Sequence, residues 1–150
     1  QEGCQAIIVS CAGDPGVAEA KQAVPIPVIG GGASTAALST FFGSYPAVLG
    51  ITEDVPESYH RILGDRIVNN AKGDGVENIL DLMTAKGYEA TMEKAAAQKA
   101  LGADVIALSC TGMSSIQIAS SIEKAVGIPV LDPVMCEGLL TVFELLRKEI

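Results

Sequence analysis

Two cysteines in matching surroundings carry the chemistry legible in this sequence. Cys11 follows the run Ala6-Ile7-Ile8-Val9-Ser10 and is followed by Ala12-Gly13. Cys110 follows Val105-Ile106-Ala107-Leu108-Ser109 and is followed by Thr111-Gly112. Each apolar, partly β-branched run reads as a buried parallel strand. A cysteine just beyond it sits at the carboxyl end of a strand, where open α/β sheets bind ligands. Turn N–H groups and the start of a helix converge there, which is expected to depress the thiol pKa and favour the thiolate. Two such thiols facing one cleft could take a proton from one side of a carbon acidified by a carbonyl and return one to the other. Amide donors near Ala12, Gly13, Thr111 and Gly112 would stabilise the enolate-like oxygen, so this chemistry needs no cofactor.

The elements that position the cysteines are duplicated. At the offset that places Cys11 on Cys110, Gly3 falls on Gly102, ahead of each strand. Downstream, Pro25-Ile26-Pro27-Val28-Ile29 answers Gly127-Ile128-Pro129-Val130-Leu131. Strand, Cys-x-Gly, helix, Ile-Pro-Val strand and helix thus occur twice, a duplicated β-α-β unit. In chain order the pattern predicts strand 6–10, helix 15–23 opened by Asp14-Pro15 as cap and first position, strand 26–29, and a helix after Gly30-Gly31-Gly32. Turn chemistry at Gly43-Ser44-Tyr45-Pro46 marks a boundary. Then come strand 47–52, helix 56–65, strand 66–70, helices 76–86 and 88–101 separated at Gly87, strand 105–109, helix 114–126, strand 128–131 and helix 134–149. Strands alternating with helices give an α/β fold with parallel sheets flanked by helices. The expected division is a first lobe at 1–45, completed by the C-terminal helix 134–150, and a second lobe at 46–133. In the last helix, Leu139, Val142, Phe143, Leu146 and Ile150 form a stripe with helical spacing. Residues Gln1–Gln5 match the end of a helix in the second copy. The first lobe is therefore expected to lack N-terminal elements, leaving a sheet edge that a longer chain or a homo-oligomer would cover.

Composition excludes several classes. The 150 residues are 49% hydrophobic and contain no Trp, as suits an aliphatic core under helix-covered sheets. A net charge of −8 and a basic-patch-free sequence argue against nucleic-acid binding. No apolar run reaches the length of a membrane span, and no signal-peptide pattern is present. The expected setting is cytoplasmic with reduced thiols.

Of the four cysteines, none forms a C-x-x-C pair, and the single His60 lies in a polar helical stretch, so no metal site is expected. Cys4 and Cys136 answer Ala103 and Ser34 in the repeat and read as small hydrophobes. Gly30-Gly31-Gly32 before a helix could cradle a phosphate, but it lacks the spacing of a dinucleotide loop and the Lys of a P-loop, and reads better as a tight turn. Asp132-Pro133 reads as an N-cap followed by proline at the first helical position.

Cys11-Ala12-Gly13-Asp14-Pro15-Gly16, Cys110-Thr111-Gly112-Met113 and Gly127-Ile128-Pro129-Val130-Leu131-Asp132-Pro133 together resemble the aspartate/glutamate/hydantoin racemase superfamily. The Cys-x-Gly-Asp-Pro-Gly form resembles its hydantoin racemase branch. The resemblance implies two pseudo-symmetric flavodoxin-like lobes with the site between them, and cofactor-independent racemisation with Cys11 and Cys110 as the two acid/base residues. It implies substrate contacts at Ala12, Gly13, Asp14, Thr52, Thr111 and Gly112, with Thr52 where the family often binds a carboxylate or amide. Ser34 stands where hydantoin racemases often have an acidic residue. The strand and Asn-Pro-Asn-Thr-like turn that open the family's first lobe have no counterpart here, so on the order of sixty residues, about two β-α units, are expected upstream.

Three other functions remain open at this point. The superfamily includes maleate isomerases and arylmalonate decarboxylases, and the chain could instead be a non-catalytic lobe that binds a small molecule. Two matched cysteines favour racemisation. The expected partner is a small-molecule substrate, and the sulfurs should lie roughly 6–9 Å apart, flanking one carbon.

Overall fold

The computed structural model describes residues 3–148. In chain order it runs β1 (Ile7–Val9), α1 (Val17–Ala23), β2 (Val28–Gly30), α2 (Gly31–Ser39), β3 (Pro46–Gly50), α3 (Glu57–Leu63) and a 3₁₀ turn at Gly64–Arg66. It continues with β4 (Asn70–Lys72), α4 (Ile79–Leu82), α5 (Ala85–Ala100), β5 (Val105–Leu108), α6 (Gly112–Ser115), α7 (Ile118–Val126), β6 (Val130–Leu131) and α8 (Pro133–Leu146). This is the expected α/β alternation.

Every strand pairing is parallel. β1 and β2 form a two-stranded sheet, and the remaining strands form a four-stranded sheet in the order β4-β3-β5-β6. The central strands β3 and β5 are buried along their whole length, which is why they read as unbroken apolar runs. Their side chains alternate between two cores. Ala47, Leu49, Ile106 and Leu108 pack with Ala95 of α5 and with Ile118 and Ile122 of α7. Val48 and Ala107 point the other way, onto Ala36 of α2 and Tyr59 and Leu63 of α3. A strand buried on both faces thereby fixes a helix layer on each side.

The duplication has a backbone signature. Gly3 and Gly102, ahead of β1 and β5, both adopt positive φ, at 71° and 101°, a conformation glycine enters without steric cost. β1 then pairs with β2 and β5 with β6, as repeated β-α-β units should.

Several local expectations are corrected. Gln1 and Glu2 lie outside the described residues, and residues 3–6 are in no helix. Gly87 does not separate two helices but lies inside α5, where a side chain would sit 2.0 Å from the Asp81 carbonyl oxygen. It allows close packing rather than a break. The helix expected at 114–126 is two helices, parted where Gln117 turns to φ 52°. The strand expected at 66–70 forms later, at Asn70–Lys72, because a 3₁₀ turn occupies Gly64–Arg66.

The stripe on α8 forms with the expected helical spacing but is left uncovered. Leu139, Val142, Phe143 and Leu146 are exposed, and the helix buries Pro133, Cys136 and Glu137 instead; Ile150 lies outside the described residues. Helical spacing places residues on one face, but burial needs a partner, and α8 lies against α2 and β2 near its N-terminal end. Among the described residues, no helix is long and apolar enough to cross a membrane.

Candidate functional site

Both Ser-Cys turns open onto one cavity. β1 ends at Val9 and β5 at Leu108, so Cys11 and Cys110 leave their strands at equivalent points. Cys11, Ala12, Gly13, Thr52, Cys110 and Thr111 line a cavity of about 440 Å³, with Ile51, Asp54, Val55, Pro56 and Ser109. Two of these turns meet directly: the Thr111 hydroxyl donates to the Ser10 carbonyl at 3.3 Å. The Thr52 hydroxyl donates to the Asp54 carbonyl at 2.9 Å, within the 51–56 loop that lines the cavity.

The two thiols differ in environment. Cys11 is exposed, whereas Cys110 is half-buried and receives N–H groups from Gly112 and Met113. Burial pushes the Cys110 thiol above its ordinary range; the two N–H groups pull it down by less, and Cys11 adds a further upward push. The expectation of a depressed pKa is therefore corrected for Cys110. Desolvation of a thiolate outweighs two amide dipoles here, so Cys110 rests as the thiol at neutral pH.

Three sequence-selected residues lie outside the cavity lining. Asp14 does not cap α1, whose N-cap is Gly16 in the left-handed region. Its carboxylate turns instead to the start of α2, accepting from the Gly32 N–H at 2.8 Å and the Ala33 N–H at 2.7 Å. The anion-binding amides of the triple-glycine turn are thus already occupied by the chain's own carboxylate, which removes the phosphate reading. Ser34 is buried and donates to the Gly30 carbonyl at 2.6 Å. Gly112 packs beneath the Cys110 turn, where a side chain would overlap Ile79.

The triple glycine has a steric purpose. A Cβ on Gly30 would lie 2.4 Å from the Asp14 carboxylate, on Gly31 2.5 Å from Glu137 Oε2, and on Gly32 2.0 Å from the Ala12 carbonyl oxygen. Only bare backbone lets α2 start this close under the Cys11 turn.

Sequence reasoning missed the polar residues behind the turns. Ser58 and Tyr59 are buried on α3: Ser58 Oγ donates to the Ala12 carbonyl at 2.8 Å, and Tyr59 Oη to the Leu108 carbonyl at 2.6 Å. Glu137, also buried, accepts from Ser10 Oγ at 2.6 Å through Oε1, while its Oε2 has no partner among the described residues. Burial raises its carboxyl pKa, opposed by the Ser10 hydrogen bond and reinforced by Asp132 and Asp14. A Glu inside an apolar helical stretch was the available signal. Other single-residue expectations are met: Asp132 caps α8 through the Val134 and Met135 N–H groups, with Pro133 at the first position, and His60 is exposed. Cys136 is buried as a small hydrophobe, whereas that expectation is corrected for Cys4, which lies exposed ahead of β1.

The family model described as Asp/Glu/hydantoin racemase matches residues 1–137. The chain belongs to that family. It is 28% identical to a hydantoin racemase from Pseudomonas sp. (strain NS671), over 90% of this chain and 56% of that protein. Among solved structures, it superposes on allantoin racemase from Pseudomonas fluorescens with a TM-score of 0.82 and 21% identity, covering 100% of this chain and 65% of that one. For allantoin racemase from Klebsiella pneumoniae the TM-score is 0.80 at 20% identity, covering 99% and 62%. These two superpositions establish a shared racemase fold. The chain spans a little over half the length of the curated relative.

Proposed function

We propose that this chain carries the two-base site of a cofactor-independent racemase that inverts a carbon next to a carbonyl, in a hydantoin-type or amino-acid-type substrate. The observation that carries the proposal is the shared cavity of Cys11 and Cys110. In one direction the Cys11 thiolate takes the α-proton, the electron pair moves into the carbonyl to give an enolate, and the Cys110 thiol protonates the opposite face. Cys11 then holds the proton and Cys110 the negative charge, and exchange with solvent restores the starting state. The other enantiomer reacts in the reverse sense. The resting thiol at Cys110 suits the donor role in the first direction. Ala12, Gly13 and Thr111 line the cavity, and the role assigned to their amides is to receive the enolate oxygen. The Thr52 and Thr111 hydroxyls, now held by backbone carbonyls, can turn to a substrate carboxylate or amide. Asp14, Gly112 and Ser34 act on the turns beneath. We further assign residues 1–45 with α8 to one lobe and 46–133 to the other, supported by the packing of α8 on α2 and β2.

The test is α-hydrogen exchange in D₂O with enantiopure 5-substituted hydantoins and amino acids, followed by chiral chromatography. The wild-type chain should racemise and exchange. Cys11→Ser and Cys110→Ser should each abolish racemisation and retain slow exchange, if any, for opposite enantiomers. Serine lacks the thiol's ionisation near neutral pH. Exchange of the same enantiomer in both variants, or full racemisation in either, would defeat the two-base assignment. A chain that binds substrate without exchange would be a non-catalytic binding lobe.

A further inference from the structure

Two neighbouring side chains on α3 hold the two cysteine turns. Ser58 and Tyr59 lie in the first turn of this helix and are 3% and 0% exposed. Ser58 Oγ reaches the carbonyl of Ala12, directly after Cys11, at 2.8 Å. Tyr59 Oη reaches the carbonyl of Leu108, the last residue of β5 before Ser109 and Cys110, at 2.6 Å. The Leu108 carbonyl lies one residue past the last β5–β6 pair, where β6 has ended. Neither side chain is among the residues lining the cavity that the thiols share.

We infer that Ser58 and Tyr59 act together as positioning residues that set the separation of the Cys11 and Cys110 thiols. The inference rests on the two-base reading above. One helical turn joined to the Cys11 turn and to the end of the strand that carries Cys110 ties the spacing of the two thiols to α3. The Ala12 anchor is reinforced, because Gly32 lets α2 approach until the position of its absent Cβ is 2.0 Å from the Ala12 oxygen and 2.3 Å from Ser58 Oγ. The Tyr59 ring packs in the core with Ala36, Val48, Leu63 and Ala107, so its hydroxyl cannot swing away from Leu108 without repacking. Two-base inversion needs both sulfurs within reach of one carbon at once, and misplacement by about 1 Å can cost 100-fold in rate. Both hydrogen bonds are to the backbone, so they act on where the thiols stand.

The experiment uses a Cys4→Ser background, leaving Cys11 and Cys110 as the accessible thiols. Ethylene-spaced and hexylene-spaced bis-methanethiosulfonates are added separately, and intact mass spectrometry counts chains bridged at both sulfurs. Each bridge forms as two thiolates displace two methanesulfinates. The parent chain should prefer one spacer strongly. Tyr59→Phe, which keeps the ring and removes only the hydroxyl, should reduce that preference several-fold, as should Ser58→Ala. Mass-labelling of single thiols should remain unchanged. With a turned-over substrate, Tyr59→Phe should lower kcat about 10–100-fold and leave KM within about two-fold. Thermal unfolding by circular dichroism confirms that each variant is folded; should Tyr59→Phe fail to fold, Ser58→Ala decides. An unchanged spacer preference and kcat in folded variants would overturn the inference while leaving the two-base reading intact. If the parent chain itself forms no bridge with either spacer, the facing-thiol reading fails and this inference with it.

Discussion

Replacing Asp14 should destabilise the whole chain, although the residue lies in a surface loop beside the candidate site. Its carboxylate accepts two amide hydrogens at the start of α2, at 2.8 and 2.7 Å, and its backbone sits at φ 53°. Losing a side-chain cap costs about 1 kcal/mol. Losing a negative charge at a helix N-terminus adds about 0.5–1 kcal/mol. An alanine forced into the left-handed region adds about 1 kcal/mol more. Asp14→Ala should therefore cost about 3 kcal/mol, and Asp14→Gly, which relieves the backbone, about 2 kcal/mol. At about 2–4 °C per kcal/mol for a chain of this size, the midpoints should fall by roughly 6–12 °C and 4–8 °C. Thermal unfolding followed by circular dichroism at 222 nm reads both. The gap between the two variants isolates the backbone contribution, and the remaining loss in Asp14→Gly isolates the distant cap. Were Asp14 chiefly a substrate ligand, both variants would melt within about 1 °C of wild type and only KM would rise; that result would refute the capping argument.

Two pH-dependent outcomes follow from the buried acids. Burial raises the Cys110 thiol, so its alkylation by iodoacetamide, read by peptide mass spectrometry, should be slow at pH 7 and rise steadily with pH beyond the ordinary thiol range; a rate already at plateau by pH 7 would contradict the desolvation argument. Burial also raises the Glu137 carboxyl, so the folded state holds a proton that the unfolded chain releases first. The resulting stability is present below the unfolded carboxylate pKa and is lost as pH rises through the folded one. Relative to Glu137→Gln, which does not titrate, wild type should lose stability between acid and neutral pH in chemical denaturation, and a pH-independent difference would show that Glu137 is not desolvated.

The sequence by itself determined the strands other than β4, their parallel class, the duplication and the two Ser-Cys turns. The reason is local. Ile7–Val9 and Val105–Leu108 are short apolar, partly β-branched runs that read as strands, and Gly3 and Gly102 mark the positive-φ turns ahead of them; the burial expected of both runs holds for β5 but not for β1, which pairs only with β2 and leaves Ile8 exposed. The Asp132-Pro133 cap was equally legible, because cap and capped amides lie within one turn. What only the tertiary structure decided were partnerships between residues far apart in the chain. Asp14-Pro15 has the chemistry of a local cap, yet the carboxylate finds better-aimed amides on α2. Gly30-Gly31-Gly32 reads as a tight turn or an anion cradle until the Ala12 carbonyl and the Asp14 and Glu137 carboxylates are seen where its side chains would be. Helical spacing put Leu139, Val142, Phe143 and Leu146 on one face of α8, but spacing carries no information about whether anything covers that face. Ser58, Tyr59 and Glu137 form no motif; their roles come from hydrogen bonds that span 46, 49 and 127 positions of chain. The resting state of Cys110 belongs with them, because a thiol pKa depends on how much water the surrounding fold removes, and desolvation is a property of three-dimensional packing.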